Sequence, residues 1–145
     1  MGKVNATVAI PATPETVWNA ICDPGTYEQW LTIHTNWKGE VPERFSAGAT
    51  ADEVVTMLGM ANTISWTVQE FEEPSRLTIS GTGMAGVKTT FSLGVSSDGN
   101  GGSTATIDAE FEGQLVVGAL GKAVEQDAQA NLEASLAKLT ELVSA

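Results

Sequence analysis

The sequence predicts an α+β fold, in which a curved antiparallel sheet of about seven strands wraps around a long C-terminal helix. Three observations predict it. The chain opens on an alternating apolar pattern, continues with further strand patterns separated by short turns, and closes on one long helical pattern. Strands that follow one another through short turns pair antiparallel, so the final helix is expected to cover one face of their sheet.

The first strand is followed by two short helices. Apolar residues alternate with polar ones over residues 4–10, the pattern of a strand with one buried face. Thr13 followed by Pro14 then indicates a helix start, because threonine caps helices and proline fits the first helical position. Asp23 followed by Pro24 repeats that signal. The second short helix is expected to carry Tyr27, Trp30 and Leu31.

The middle of the chain is predicted to form six further strands. Their expected ranges are residues 37–40, 51–58, 63–71, 76–81, 87–95 and 104–113. Turns at 59–62 and at the glycine-rich stretch 96–102 connect neighbouring strands. Phe71 breaks the alternation of the strand before it, which predicts a bulge there.

A single helix is predicted over residues 117–143. At 1.5 Å per residue it is roughly 40 Å long and needs a large apolar partner surface. Its apolar residues, at three-to-four spacing, are Leu120, Val124, Ala128, Leu132, Leu136, Leu139 and Val143. The concave face of the sheet is the candidate partner. A space between sheet and helix is where we expect a functional site.

Composition narrows the function classes. The length of 145 residues suits one domain spanning 1–145, and eighteen acidic against seven basic residues give a net charge of -11. This charge disfavours nucleic acid and anionic membrane surfaces as partners. Neither a signal peptide nor a stable membrane insertion is predicted, so a cytoplasmic location is expected.

The cysteine, metal and nucleotide signals are weak. Cys22 is the single cysteine and lies in an apolar stretch, which predicts a buried, inert thiol and no internal disulfide. The chain has one histidine and one cysteine and lacks the paired spacing of metal-binding residues, so no metal site is predicted. Residues 81–86 match G-x-G-x-x-G, but the pattern that follows is a strand rather than a helix. We therefore expect a glycine-rich hairpin there, and no cofactor.

His34 is the only histidine and the natural candidate for acid–base chemistry. Glu28 and Glu53 are possible partners, and the spacing assigns neither. A structural or ligand-orienting role is favoured over a catalytic one, so no catalytic residue is assigned unless the protein is an enzyme, in which case it is His34. The alternating acids at 108, 110 and 112 are expected to face solvent, because their neighbours take the buried face.

Several aromatic and sulfur-containing side chains could either fill the interior or line a pocket. The predicted ligand-binding residues are Trp30, His34, Trp37, Met57, Met60, Trp66, Met84, Phe91, Phe111, Leu120, Val124 and Asn131. Trp18 is assigned to the core. Small residues on the final helix favour a pocket, because they leave volume opposite the sheet: Gly118, Ala119, Gly121, Ala123, Ala128 and Ala130.

The opening stretch IPATPETVWNAICDPGTYEQW, together with the long terminal helix, resembles the START/Bet v 1-like (SRPBCC) superfamily, in its polyketide cyclase/dehydrase-like branch. The resemblance covers essentially the whole chain and implies a helix-grip fold. The residues in matching places are Ile10, Pro14, Val17, Trp18, Asp23, Tyr27 and Trp30. The segments WLTIHTNW, GMANTISWTV and GMAGVK look like those of an actinobacterial subgroup, one mycobacterial member of which is named as a type II toxin.

The resemblance leaves three functions open. The first is non-enzymatic binding of a hydrophobic small molecule, such as a lipid, an isoprenoid or a polyketide-like compound. The second is a cyclase or aromatase in which His34 moves protons. The third is a toxin of a toxin–antitoxin pair, which acts through contacts with a protein partner.

Overall fold

The computed structural model describes residues 2–83, 86–113 and 118–144. Its strands are β1 (Gly2–Ile10), β2 (His34–Lys38), β3 (Thr50–Met57), β4 (Met60–Glu72), β5 (Arg76–Thr82), β6 (Lys88–Ser97) and β7 (Ser103–Glu112). Its helices are α1 (Pro14–Cys22), α2 (Tyr27–Trp30) and α3 (Gly118–Ser144), with a 3₁₀ turn at Pro24–Thr26 before α2.

The seven strands form an antiparallel sheet in the order β1-β7-β6-β5-β4-β3-β2. The sheet curls as a half-barrel, and α3 packs against β1, β3 and β7 as well as against α1 and α2. This arrangement confirms the predicted helix-grip fold. No helix of the described ranges is long and apolar enough to span a membrane.

The helix starts follow the sequence signals. The Thr13 hydroxyl accepts the backbone N–H of Thr16 at 3.3 Å, and Pro14 is the first residue of α1. The Asp23 carboxylate accepts the N–H of Gly25 at 2.9 Å and so caps the 3₁₀ turn. Both caps satisfy N–H groups that have no partner within their own helix.

The bounds of β2 and of the following hairpin differ from the prediction. β2 begins at His34, which pairs with Val55, and a bulge follows before Asn36. Leu58 and Gly59 both have positive φ, at 53° and 75°, so they form a two-residue turn rather than the longer turn predicted at 59–62. The pairing of β2 depends on a partner distant in the sequence, and leucine is uncommon at positive φ, so the local pattern reveals neither feature.

The predicted bulge near Phe71 is present. The register of β4 against β5 shifts between Val68 and Glu70, just before Phe71 pairs with Leu77. The extra residue changes the face on which the following side chains lie. Phe71 therefore lies partly buried against the core, with its ring centroid 5.5 Å from that of Trp18.

The apolar stripe of α3 is buried along most of its length. Ala128, Leu132, Leu136 and Leu139 are at most 3% exposed. The predicted burial of Leu120 is wrong, because this residue is 41% exposed. A cavity separates the first turns of α3 from the sheet, so Leu120 lacks a packing partner there.

The small residues of α3 lie outside the wall of that cavity. Gly118, Ala119 and Ala130 are exposed, and Gly121 and Ala128 are buried. None of the predicted small residues lines the cavity.

Candidate ligand cavity

An apolar cavity of about 100 Å³ lies between the curled sheet and the first turns of α3. The sheet contributes side chains from β3, β4, β6 and β7. Among the described residues, the wall is formed by Val55, Met57, Leu58, Met60, Asn62, Ile64, Val87, Thr89, Phe91, Phe111, Leu120 and Val124. None of these side chains is ionisable, so the described wall suits an uncharged, mainly apolar occupant.

Leu58, Met60 and Leu120 form the mouth of this cavity. They are 40%, 47% and 41% exposed. Among the described residues, they are the large apolar side chains with the highest solvent exposure. Clusters of this kind are usual at binding sites, because exposing several apolar groups together is costly without a partner. The mouth therefore joins the apolar wall to solvent.

A hydrogen-bonded seam holds the mouth and α3 together. The backbone N–H of Leu58 donates to Oδ2 of Asp127 at 3.2 Å. Asn131 donates to the backbone carbonyl of Asp127 at 2.9 Å and accepts from the Thr32 hydroxyl at 2.6 Å. The backbone N–H of Thr32 donates to Oγ of Ser135 at 2.9 Å. Asp127 therefore joins α3 to the β3–β4 hairpin, whereas Asn131 and Ser135 join it to the α2–β2 loop.

His34 belongs to a second polar group, buried beside the cavity. Its Nδ1 hydrogen-bonds Oε2 of Glu53, and Trp66 donates its indole N–H to Oε1 of the same carboxyl at 2.8 Å. The side chains of His34 and Glu53 are only 4% and 1% exposed. One buried carboxyl thus serves two nitrogen groups from different strands, which ties β2, β3 and β4 together.

An aromatic cluster surrounds this polar group, formed by Tyr27, Trp30, Trp37 and Phe45. The ring of His34 lies 5.1 Å from Trp37 and 6.5 Å from Tyr27, measured between centroids. Tyr27 donates its hydroxyl to the carbonyl of Ile21 at 2.7 Å. Burial, followed by the nearby Glu53 carboxyl, raises the pKa of Tyr27 well above its usual value. The rings of this cluster therefore pack against one another beside the His34–Glu53 pair.

The family model for "polyketide cyclase / dehydrase and lipid transport" proteins matches residues 1–144. This chain belongs to that family. Among its relatives, the Mycobacterium tuberculosis protein named Toxin Rv0910 is 31% identical over 136 residues, which cover 94% of each chain. Another protein of that organism, the uncharacterised Rv1546, is 28% identical and covers 98% of this chain and 99% of its own.

Solved structures agree on the fold. A START superfamily protein from Mycobacterium smegmatis is 22% identical and superposes with a TM-score of 0.78, covering 98% of this chain and 97% of its own. The ZhuI aromatase/cyclase from Streptomyces sp. R1128 is 16% identical with a TM-score of 0.77, covering 99% and 93%. At these identities the likeness establishes the helix-grip architecture.

The structure divides the predicted ligand-binding residues into two groups. Those that line the cavity are Met57, Met60, Phe91, Phe111, Leu120 and Val124. Those that lie outside its wall are Trp30, His34, Trp37, Trp66 and Asn131. Met84 lies outside the described residues. Ligand contact for each of them stays a prediction.

Half of the wall was not predicted. Val55, Ile64 and Thr89 lie on the same strand faces as predicted residues, two positions away from Met57, Trp66 and Phe91. The period of two along a strand could have found them. Asn62 and Val87 fit the same period, two positions from Met60 and Thr89, whereas Leu58 lies in the two-residue turn, where the alternation does not apply.

The glycine-rich segment 81–86 joins two strands. β5 ends at Thr82 and β6 begins at Lys88. A dinucleotide fingerprint requires a helix after the glycines, whose N-terminus holds the pyrophosphate. The segment is followed by a strand, as the sequence pattern predicts.

Cys22 is fully buried at the end of α1, and burial raises the pKa of its thiol from 9.0 to about 12. As pH rises above about 9, the unfolded state loses this proton while the folded state keeps it, so stability falls until about pH 12. We expect wild type to lose up to about 1.4 kcal/mol per pH unit more than Cys22→Ala over this range.

Urea unfolding of both proteins between pH 8 and pH 10.5 measures this difference. Tyr27 also titrates in the alkaline range, but it is present in both proteins, so the comparison isolates the thiol. Parallel pH profiles for wild type and Cys22→Ala would contradict the expected shift.

Proposed function

We propose that this protein binds a compact apolar molecule, or the apolar end of a longer one, in the cavity between sheet and α3. The observation that carries the proposal is the continuity between an apolar wall and an exposed apolar mouth at Leu58, Met60 and Leu120. Membership of a family described by cyclase, dehydrase and lipid transport functions supports it.

The size of the cavity limits the ligand. Its volume of about 100 Å³ is below the roughly 300–1,000 Å³ of typical ligand pockets. An apolar cavity of about 150 Å³ accommodates benzene. This cavity has about two thirds of that volume, so one small ring or a short branched chain would fill it and would also occupy the open mouth. A longer isoprenoid or lipid would extend through the mouth.

The residues of the described wall suit ligand binding better than they suit catalysis. A cyclase needs polar side chains that face its substrate, and the wall offers only Asn62 and Thr89 among the described residues. The His34–Glu53 pair has the composition of an acid–base pair, but it lies outside that wall and is almost fully buried. The pair is better suited to holding strands together.

A second candidate function is that of a toxin acting through a protein partner. The observation that favours it is the 31% identity to the protein named Toxin Rv0910. Inducible expression in a mycobacterial host tests it. Growth arrest supports this function if co-expression of a small protein encoded by the adjacent gene relieves the arrest. Normal growth at high expression opposes it.

The binding proposal is tested at Val124, which lines the cavity from α3. We expect Val124→Phe to weaken binding of toluene at least tenfold, because the larger ring occupies space that the ligand needs. NMR titration of the amide spectrum measures the dissociation constant. Toluene has seven non-hydrogen atoms, and a ceiling of about 1.5 kcal/mol for each limits its dissociation constant to roughly tens of nanomolar or weaker.

Val143→Phe is the matched control. Val143 is also a partly buried valine of α3, but it packs against the core outside the cavity wall. This variant should bind toluene within about twofold of wild type. Equal affinities for wild type and Val124→Phe would show that toluene binds elsewhere, and would remove the cavity as the site.

A further inference from the structure

Thr89 is an unusual member of the cavity wall. It lies on β6, a central strand, where it pairs with Gly81 of β5 and Phe111 of β7. Side chains two residues apart on a strand share a face, so Thr89 lies on the concave face with Phe91. The residue is 4% exposed and lines the cavity.

The hydroxyl of Thr89 has no hydrogen-bond partner among the described residues, whereas every completely shielded side-chain nitrogen or oxygen there has one. The hydroxyl must therefore reach open space, and the cavity is the space that this residue lines. Holding an unpaired hydroxyl against an apolar wall costs free energy. Valine has nearly the same shape and would avoid that cost.

We infer that the cavity takes an uncharged molecule with a single oxygen function, an alcohol or a carbonyl, which hydrogen-bonds to Thr89. This inference rests on the proposed binding function and narrows its ligand class. A hydroxyl donates one hydrogen bond and also accepts, so it suits either oxygen function. The described wall holds no ionisable side chain, so a charged ligand would lose its hydration without compensation.

Phenol and toluene make a matched pair of probes, because they have nearly the same shape and differ in one hydroxyl. We expect Thr89→Val to weaken phenol binding about tenfold, equal to about 1.4 kcal/mol, and to leave toluene binding within twofold. Thr89→Ser, which keeps the hydroxyl, should retain most of the phenol affinity. NMR titrations at pH 7, where phenol is uncharged, measure both constants.

Thr90→Val is the control on the same strand, because Thr90 lies on the opposite face and outside the cavity wall. It should change neither affinity. If wild type binds both probes and Thr89→Val binds phenol as tightly as wild type does, the role of Thr89 is overturned while the binding function stands. If wild type binds neither probe, the proposed binding function itself fails, and this inference with it.

Discussion

Replacing Glu53 with alanine is expected to lower the free energy of unfolding by about 4 kcal/mol. Glu53 is 1% exposed, and its two oxygens bond the indole N–H of Trp66 and Nδ1 of His34. Alanine would leave both nitrogen groups buried without an acceptor, at about 1–3 kcal/mol for each. The remaining loss comes from the space vacated by the carboxyl group.

Urea unfolding at neutral pH measures this loss. Asp52→Ala is the control, because Asp52 is the exposed neighbour of Glu53 on β3 and its loss should cost no more than about 0.5 kcal/mol. Glu53→Gln keeps one acceptor oxygen and is expected to lose less than Glu53→Ala, which gives a measurable variant if the alanine protein does not fold. A loss below 1 kcal/mol in Glu53→Ala would contradict the structural role of this group.

The burial of Glu53 cannot be predicted from the local sequence pattern. Its position alternates in phase with Ala51 and Val55 on the buried face of β3, yet a carboxylate at such a position is normally assigned to solvent. The sequence leaves Glu28 and Glu53 as possible partners for His34, and the pairing of β2 with β3 brings Glu53 to it. Strand pairing joins residues that are far apart in sequence, so the local pattern does not determine it.

The fold itself was largely predictable, because its signals are local. The cap at Thr13, the apolar stripe of α3 and the bulge before Phe71 each depend on a short run of residues. The cavity was only partly predictable. Trp30 and Trp66 are buried and Trp37 is partly buried, and such aromatic positions fit a packed core and a pocket wall equally well. Thr89 is not predictable as a wall residue, because a polar side chain is normally assigned to the exposed face of a strand.

Gly81→Ala is expected to lower the free energy of unfolding by about 3 kcal/mol, because the added methyl group has no room. A Cβ at this position would lie 2.3 Å from the carbonyl oxygen of Ser65 and 2.7 Å from a methyl carbon of Ile64. The Ser65 oxygen belongs to the backbone of β4, so relief requires β4 and β5 to separate. This close approach of the β4 backbone explains why residue 81 is a glycine. The glycine therefore needs no explanation through nucleotide binding.

Gly94→Ala is the matched control, since Gly94 lies in β6 of the same sheet and a Cβ there would meet its nearest atom, the Ser75 carbonyl oxygen, at 3.8 Å. That is an ordinary contact, so this variant should remain within about 1 kcal/mol of wild type or gain slightly from the reduced freedom of its unfolded chain. Because Ile64 also lines the cavity, separation of β4 from β5 in Gly81→Ala should weaken toluene binding as well. Equal stability of the two variants would mean that β4 and β5 do not approach as closely as this.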